Sequence, residues 1–248
     1  MWCFLLATSL WAAVPAAGPD IELTVYAASS LGDVLREIAP ICERQSGARV
    51  VFNIASSSHL ARQIVAANKA DLFLSADTYW MEHVTRAGLV DPSSRRRLLS
   101  NRLVVIAPAD SALKVSGPAD LAGTGIRRLS LADPEAVPAG KYARSWLEKE
   151  GLWRRVSARV IPAVDVRAAL AAVELGVVDA GVVYRTDART SKKVRVLYEV
   201  PEDRGPRISY PLAVLLERPY LDLAREFGAC LSSPGVRAAF ERHGFVTQ

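Results

Sequence analysis

The feature that most constrains the fold is an alternation along the chain between short segments rich in β-formers and longer segments of helical apolar period. IELTVYA (21–27) reads as a strand. LGDVLREIAPICERQ (31–45) follows, with Leu31, Val34, Leu35, Ile38, Ile41 and Cys42 on one helical face and Gly47 as a stop. ARVVFNIA (48–55) is again a strand, the segment after it a helix burying Leu60, Ile64 and Ala67, ADLFLSAD (70–77) a short buried strand, and TYWMEHVTRAGLV (78–90) a helix. Strands that alternate with helices in this way build a parallel sheet covered on both faces.

The pattern continues past residue 100. NRLVVIAP (101–108), RRLSLAD (127–133), AGVVYRT (180–186), VRVLYEVPED (194–203) and ISYPLAVLLE (208–217) have strand character. PAGKYARSWLEKEGLW (138–153), DVRAALAAVELGVVD (165–179), and segments near 219–231 and 234–243 have helical period. A chain of 248 residues, half of them hydrophobic, has material for one large α/β domain or two lobes.

The first residues differ in kind. An apolar run from Trp2 to Val14, then small residues, reads as a secretory signal peptide over residues 1–16, cut after Ala16, although no Lys or Arg precedes the run. It is too short to span a bilayer. The expectation is an exported protein. Cys42 and Cys230 remain after cleavage; two cysteines make no scaffold, a buried thiol is the simpler reading of Cys42, and pairing stays open. The net charge of +5 comes from scattered basic residues without interleaved aromatics, so nucleic acid is not an expected partner.

Residues 52–64, FNIASSSHLARQI, pose the chemical question: nucleophile beside a base, or hydrogen-bond donors awaiting an anion. No G-x-S-x-G elbow exists, and His59 follows Ser58 directly and points down the helix. Metal-ligand spacings are absent, and GTGIRR (123–128) lacks the third glycine of a dinucleotide loop. Helix starts remain. Each leaves unpaired N–H groups and roughly half a positive charge, which an oxyanion satisfies. Ser30 and Ser57 stand where N-caps would be, and further starts follow Pro138 and Asp165.

Taken in order, YAASSL (26–31), ASSSHLARQI (55–64), ADLFLSAD (70–77), DPEAVPAGKYA (133–143), DVRAAL (165–170), DAGVVYRTDA (179–188) and FERHGF (240–245) resemble the successive motifs of the periplasmic molybdate-binding proteins of ABC-type uptake systems. The resemblance implies a two-lobed type II periplasmic binding protein of α/β class. Each lobe would be a mainly parallel sheet flanked by helices, with the ligand in the inter-lobe cleft. Lobe one would hold 21–103 plus 212–248, and lobe two 104–211. It implies that Ser30 and Ser57 each give an N–H and a hydroxyl, Ala139 and Val166 an N–H only, and Tyr184 its phenol, to the oxygens of molybdate or tungstate and not to the metal atom. It further implies no catalysis, no cofactor, a monomer in the periplasm, and a membrane permease as partner. The sequence departs at Ser29, where many relatives have Ala, and Arg185 is expected as a solvated surface arginine. Readings that stay open are the same fold for sulfate or another tetrahedral anion, and a secreted serine hydrolase.

Overall fold

The computed structural model describes residues 21–247. The expected signal peptide therefore lies outside the described residues. Among the described residues ten strands fall into two five-stranded sheets.

The first sheet contains β1 (Glu22–Ala28), β2 (Arg49–Ala55), β3 (Leu72–Leu74), β4 (Arg96–Leu99) and β10 (Tyr210–Val214) in the order β2-β1-β3-β10-β4. The second contains β5 (Leu103–Pro108), β6 (Leu129–Ala132), β7 (Val160–Ala163), β8 (Ala180–Tyr184) and β9 (Val194–Glu199) in the order β7-β6-β8-β5-β9. Three contiguous strands of each sheet are parallel, as the alternation requires, with Val25 opposite Phe52 and Leu72, and Leu129 opposite Val160 and Ala180. The strands on which the chain passes between sheets, β5 and β10, enter antiparallel to their neighbours.

Helices cover the first sheet on both faces. Leu23, Val25, Leu72, Leu74, Leu212 and Val214 point to the side of α1 (Gly32–Ser46) and α8 (Leu221–Leu231). Tyr26, Phe73 and Ala213, one residue out of phase, point to α2 (Ser57–Ala67) and α3 (Thr78–Arg86). That period-2 split is why these strands read as continuous apolar runs. In α1 the expected face is buried at Val34, Leu35, Ile38 and Cys42, with Leu31 buried just ahead of the helix, whereas Ile41 is exposed at its flank. In α2, Ala61 rather than Ala67 joins Leu60 and Ile64 in the core. The second sheet carries α4 (Pro138–Lys149), α5 (Trp153–Val156), α6 (Val166–Glu174) and α7 (Arg185–Arg189), and α9 (Pro234–Arg242) packs on α1 and α8.

The helices expected over 78–90, 138–153 and 165–179 are shorter than their apolar period suggests. The chain turns into a left-handed glycine after each, at Gly88 (φ 75°), Gly151 (φ 69°) and Gly176 (φ 65°). Strands β4 and β7 lie at sheet edges and were not expected. Cys42 and Cys230 are joined in a disulfide between α1 and α8, with Cα atoms 5.5 Å apart, so the free buried thiol expected of Cys42 is corrected. Among the described residues no helix is long and apolar enough to cross a membrane.

Candidate functional site

Segments at the carboxyl ends of six strands, β1, β2, β3, β6, β7 and β8, meet between the two sheets, the place where ligands bind in open α/β folds. The structure brings all five expected residues, Ser30, Ser57, Ala139, Val166 and Tyr184, to one cavity of about 10 Å³. That volume is the scale of a single solvent sphere. A cavity that small admits no sugar or peptide while the walls hold. Ser29, Ser56, Ala76 and Val137 also line it. Beyond Ser56 and Val137 a wider cleft of about 450 Å³ opens, bordered by His59, Arg62 and Asp165.

The helix starts are built differently from one another. Ser57 is the first residue of α2 and not its cap; the cap is Ser56, whose hydroxyl accepts from the N–H of His59. Ser57 Oγ instead accepts the N–H of Ala76 at 2.9 Å, which occupies a lone pair and leaves the hydroxyl proton for another acceptor. Ser30 is likewise no N-cap of α1: it lies within a 3-10 turn, Ser29–Leu31, ahead of that helix. Its Oγ is 3.0 Å from the hydroxyl of Tyr210.

The start of α4 has no side-chain cap, so its first-turn N–H groups, that of Ala139 included, have no partner inside the helix. Gly140 permits this approach: a Cβ there would collide with the carbonyl oxygens of Ala132 and Asp133 at the end of β6. In α6, Asp165 caps the N–H groups of Arg167 and Ala168 at 2.8 and 2.9 Å, as expected for a cap turned from the anion. The N–H of Val166 is the first-turn donor that this cap does not take.

Tyr184 closes β8. Its side chain is buried and its hydroxyl has no hydrogen-bond partner. Burial, with smaller contributions from neighbouring tyrosines and carboxylates, pushes its pKa well above the ordinary phenol range, so it remains a donor. An orphaned buried hydroxyl is destabilising by about 1–3 kcal/mol unless something meets it.

No Lys or Arg lines the cavity. Arg185 is held elsewhere, donating to the Gly244 carbonyl at 2.7 Å and lying 3.4 Å from Glu199, so it is a tied, partly buried arginine and not the solvated one expected. Arg167 turns away from the cavity into a bridge between Asp33 on α1, at 2.7 Å, and the fully buried Asp187 on α7, at 2.5 Å. Burial raises the Asp187 carboxyl to about 6 against the pull of Arg167, so it is mostly ionised at neutral pH. Asp77 is also raised, by burial, and caps α3 through the Trp80 N–H.

Sequence reasoning missed Ser56 as the true cap and missed Tyr210 and Asn101 behind Ser30. A hydroxyl–base pair is not assembled: His59 lies 2.8 Å from Gln63, and Ser57 faces a backbone N–H.

Helix starts from both sheets thus converge on one small cavity lined by hydroxyl and N–H groups. The family model described as bacterial extracellular solute-binding protein matches residues 23–246. The molybdate-binding protein ModA of Escherichia coli (strain K12) is 41% identical over 231 residues, 91% of this chain and 89% of that one. YvgL of Bacillus subtilis (strain 168), whose name places it with ABC transporter substrate-binding lipoproteins, is 34% identical over 92% of this chain and 87% of its own. The solved periplasmic molybdate-binding protein of Azotobacter vinelandii superposes with a TM-score of 0.82 over 91% of this chain and 99% of that one, at 24% identity, a likeness of fold. The chain belongs to the bacterial extracellular solute-binding proteins.

Proposed function

We propose that the protein captures molybdate, with tungstate as a near-isostere, outside the cytoplasmic membrane and delivers it to an ABC permease. The observation that carries this reading is the buried, unpartnered hydroxyl of Tyr184 in a cavity where helix starts from both sheets converge. Ser30, Ser57 and Tyr184 supply hydroxyl donors, and Ser30, Ser57, Ala139 and Val166 supply N–H donors. Bonds to a charged acceptor contribute about 1.5–3 kcal/mol each. Desolvation and closure oppose their sum, and micromolar affinity needs only about −8 kcal/mol.

An all-donor cavity suits a fully deprotonated tetrahedral anion. Hydrogen phosphate brings a proton that needs an acceptor; one lone pair of Ser57 is taken by the Ala76 N–H, and a hydroxyl that donates its proton to the anion does not offer the other to it. Sulfate shares the chemistry of molybdate and differs in size. The name of the Escherichia coli relative favours molybdate.

The two sheets act as lobes, 21–103 plus 212–248 and 104–211, that hinge at the two crossings. Leu103 opens β5 and Tyr210 opens β10, so the crossings lie at the edges of those bounds. Contacts that would close the lobes are the Trp80 Nε1 bond to the Ala136 carbonyl at 2.7 Å, Lys141 over the Tyr79 ring at 3.6 Å, and the Arg167–Asp33 bridge. The protein works as a monomer in the periplasm and catalyses no reaction. Its disulfide fits an oxidising compartment. Calorimetric titration with molybdate, tungstate, sulfate and phosphate in parallel tests the reading. Tight molybdate and tungstate binding with weak sulfate and no phosphate binding is expected; preference for sulfate would transfer the role to that anion.

A further inference from the structure

Behind Ser30 lies a chain of hydrogen bonds in which the steps through Asn101 have a fixed direction. It begins at the crossing between β4 and β5, where the Asn101 side-chain oxygen accepts the N–H of Arg102 at 2.9 Å. That bond fixes the orientation of the amide, since only its oxygen can accept. The Asn101 nitrogen therefore faces the other way and donates to Thr186 Oγ1 at 2.9 Å and to the Tyr210 hydroxyl at 3.2 Å. Tyr210 is buried, and burial pushes its pKa far above the ordinary phenol range, so it keeps its proton. Its hydroxyl lies 3.0 Å from Ser30 Oγ, a bond in which either oxygen can donate; since the Tyr210 oxygen already receives the Asn101 N–H, donation to Ser30 is the direction that gives the Tyr210 proton a partner. In that arrangement Ser30 has a lone pair filled from behind, and its own proton is left for the cavity it lines.

We propose that Tyr210 and Asn101 are positioning residues that hold Ser30 as a donor, and so make the cavity reject anions that carry a proton. The inference rests on the oxyanion reading above and goes beyond it: exclusion of hydrogen phosphate is assigned to two side chains that do not line the anion cavity. Asn101 donates to Thr186 of α7 and to Tyr210 of β10 at once, so the same amide ties the polarity of Ser30 to the crossing between the sheets.

Tyr210→Phe isolates the hydroxyl. The ring keeps its edge contact with Phe245 at 5.5 Å and its tilted contact with Tyr184 at 5.9 Å. Molybdate and phosphate affinities are measured by calorimetry and by competition at mildly alkaline pH, where phosphate carries one proton, with thermal melts to establish folding. Molybdate affinity is expected to fall about two- to tenfold, the loss of one ordinary hydrogen bond. The molybdate-to-phosphate ratio is expected to fall about tenfold or more, because Ser30 Oγ becomes free to accept the phosphate proton. Asn101→Asp turns a donor into an acceptor, draws the Tyr210 proton away from Ser30 and should lower the ratio likewise. Its added charge weakens both anions together, so the ratio still reports polarity. An unchanged ratio in both variants of a protein that binds molybdate overturns the inference alone. A wild type that fails to bind molybdate overturns the proposed function, and this inference with it.

Discussion

The two sheets are wired alike yet contribute differently. In each, a central strand (β1 or β6) has parallel neighbours on both sides, and an antiparallel strand follows. The loops that leave the three parallel strands meet at the cavity from both halves. After β1 and β2 the first half offers hydroxyls, Ser30 and Ser57, whereas after β6 and β7 the second half offers Ala139 and Val166, which carry none. After β3 the N–H of Ala76 is consumed by Ser57, whereas after β8 the Tyr184 hydroxyl is unclaimed. Any βα scaffold supplies backbone donors and helix dipoles for nothing more than close approach. Side-chain hydroxyls at the cavity come from the first half and from one tyrosine of the second.

The largest test of this asymmetry is mechanical. Only the first half carries a covalent staple among the described residues, from α1 to α8. Cys42 lies about 15 Å along α1 from its start beside the cavity, at 1.5 Å per residue. Reduction, or Cys42→Ala with Cys230→Ala, should lower unfolding free energy by about 2–5 kcal/mol in denaturant titration. Anion affinity should stay within about threefold, because the staple does not set the loop geometry. A large loss of affinity on reduction would show the loops to depend on it.

Next in size is a pH effect from the second half, where Asp187 is buried and tied through Arg167 to Asp33 of the first. Its carboxyl stands at about 6 in the folded protein against an ordinary 3.8. Folding therefore favours the protonated form. The contribution of this group to stability is fully present below the unfolded value and is lost as pH rises through about 6. Wild type should gain up to about 3 kcal/mol relative to Asp187→Asn as pH falls from neutral to below 4. Parallel stability curves for the two proteins would contradict the assignment.

A direct contrast between halves comes third. Ser30→Ala with Ser57→Ala removes side-chain donors and should weaken molybdate binding at least tenfold, about 1.4 kcal/mol or more. Val166→Ala retains the N–H and should change affinity by less than about threefold in the same calorimeter. Equal effects would erase the distinction between hydroxyl and backbone donors.

How much of this was legible follows from which forces are local. Strands β1 to β3 and helices α1 and α2 show in the sequence because each buries a periodic face. Edge strands hide: β4 is RRLL, charged where it meets solvent, and β7 is VIPA, with a proline that only an edge tolerates. The five cavity residues were reached through motif order, and all five line one cavity. Their local roles were less visible. Ser56 and Ser57 are chemically alike, and only the proximity of Ala76 N–H distinguishes the cap from the cavity donor. Tyr210 lies 180 residues from Ser30, and Cys230 lies 188 from Cys42, separations at which no spacing rule applies.

The most direct measurement is a crystal structure grown with molybdate. Oxyanion oxygens within about 2.7–3.2 Å of the Ser30, Ser57 and Tyr184 hydroxyls and of the Ala139 and Val166 N–H groups are expected, with no lysine or arginine in contact. An anion held by a guanidinium or ammonium group, or bound away from these helix starts, would contradict the account.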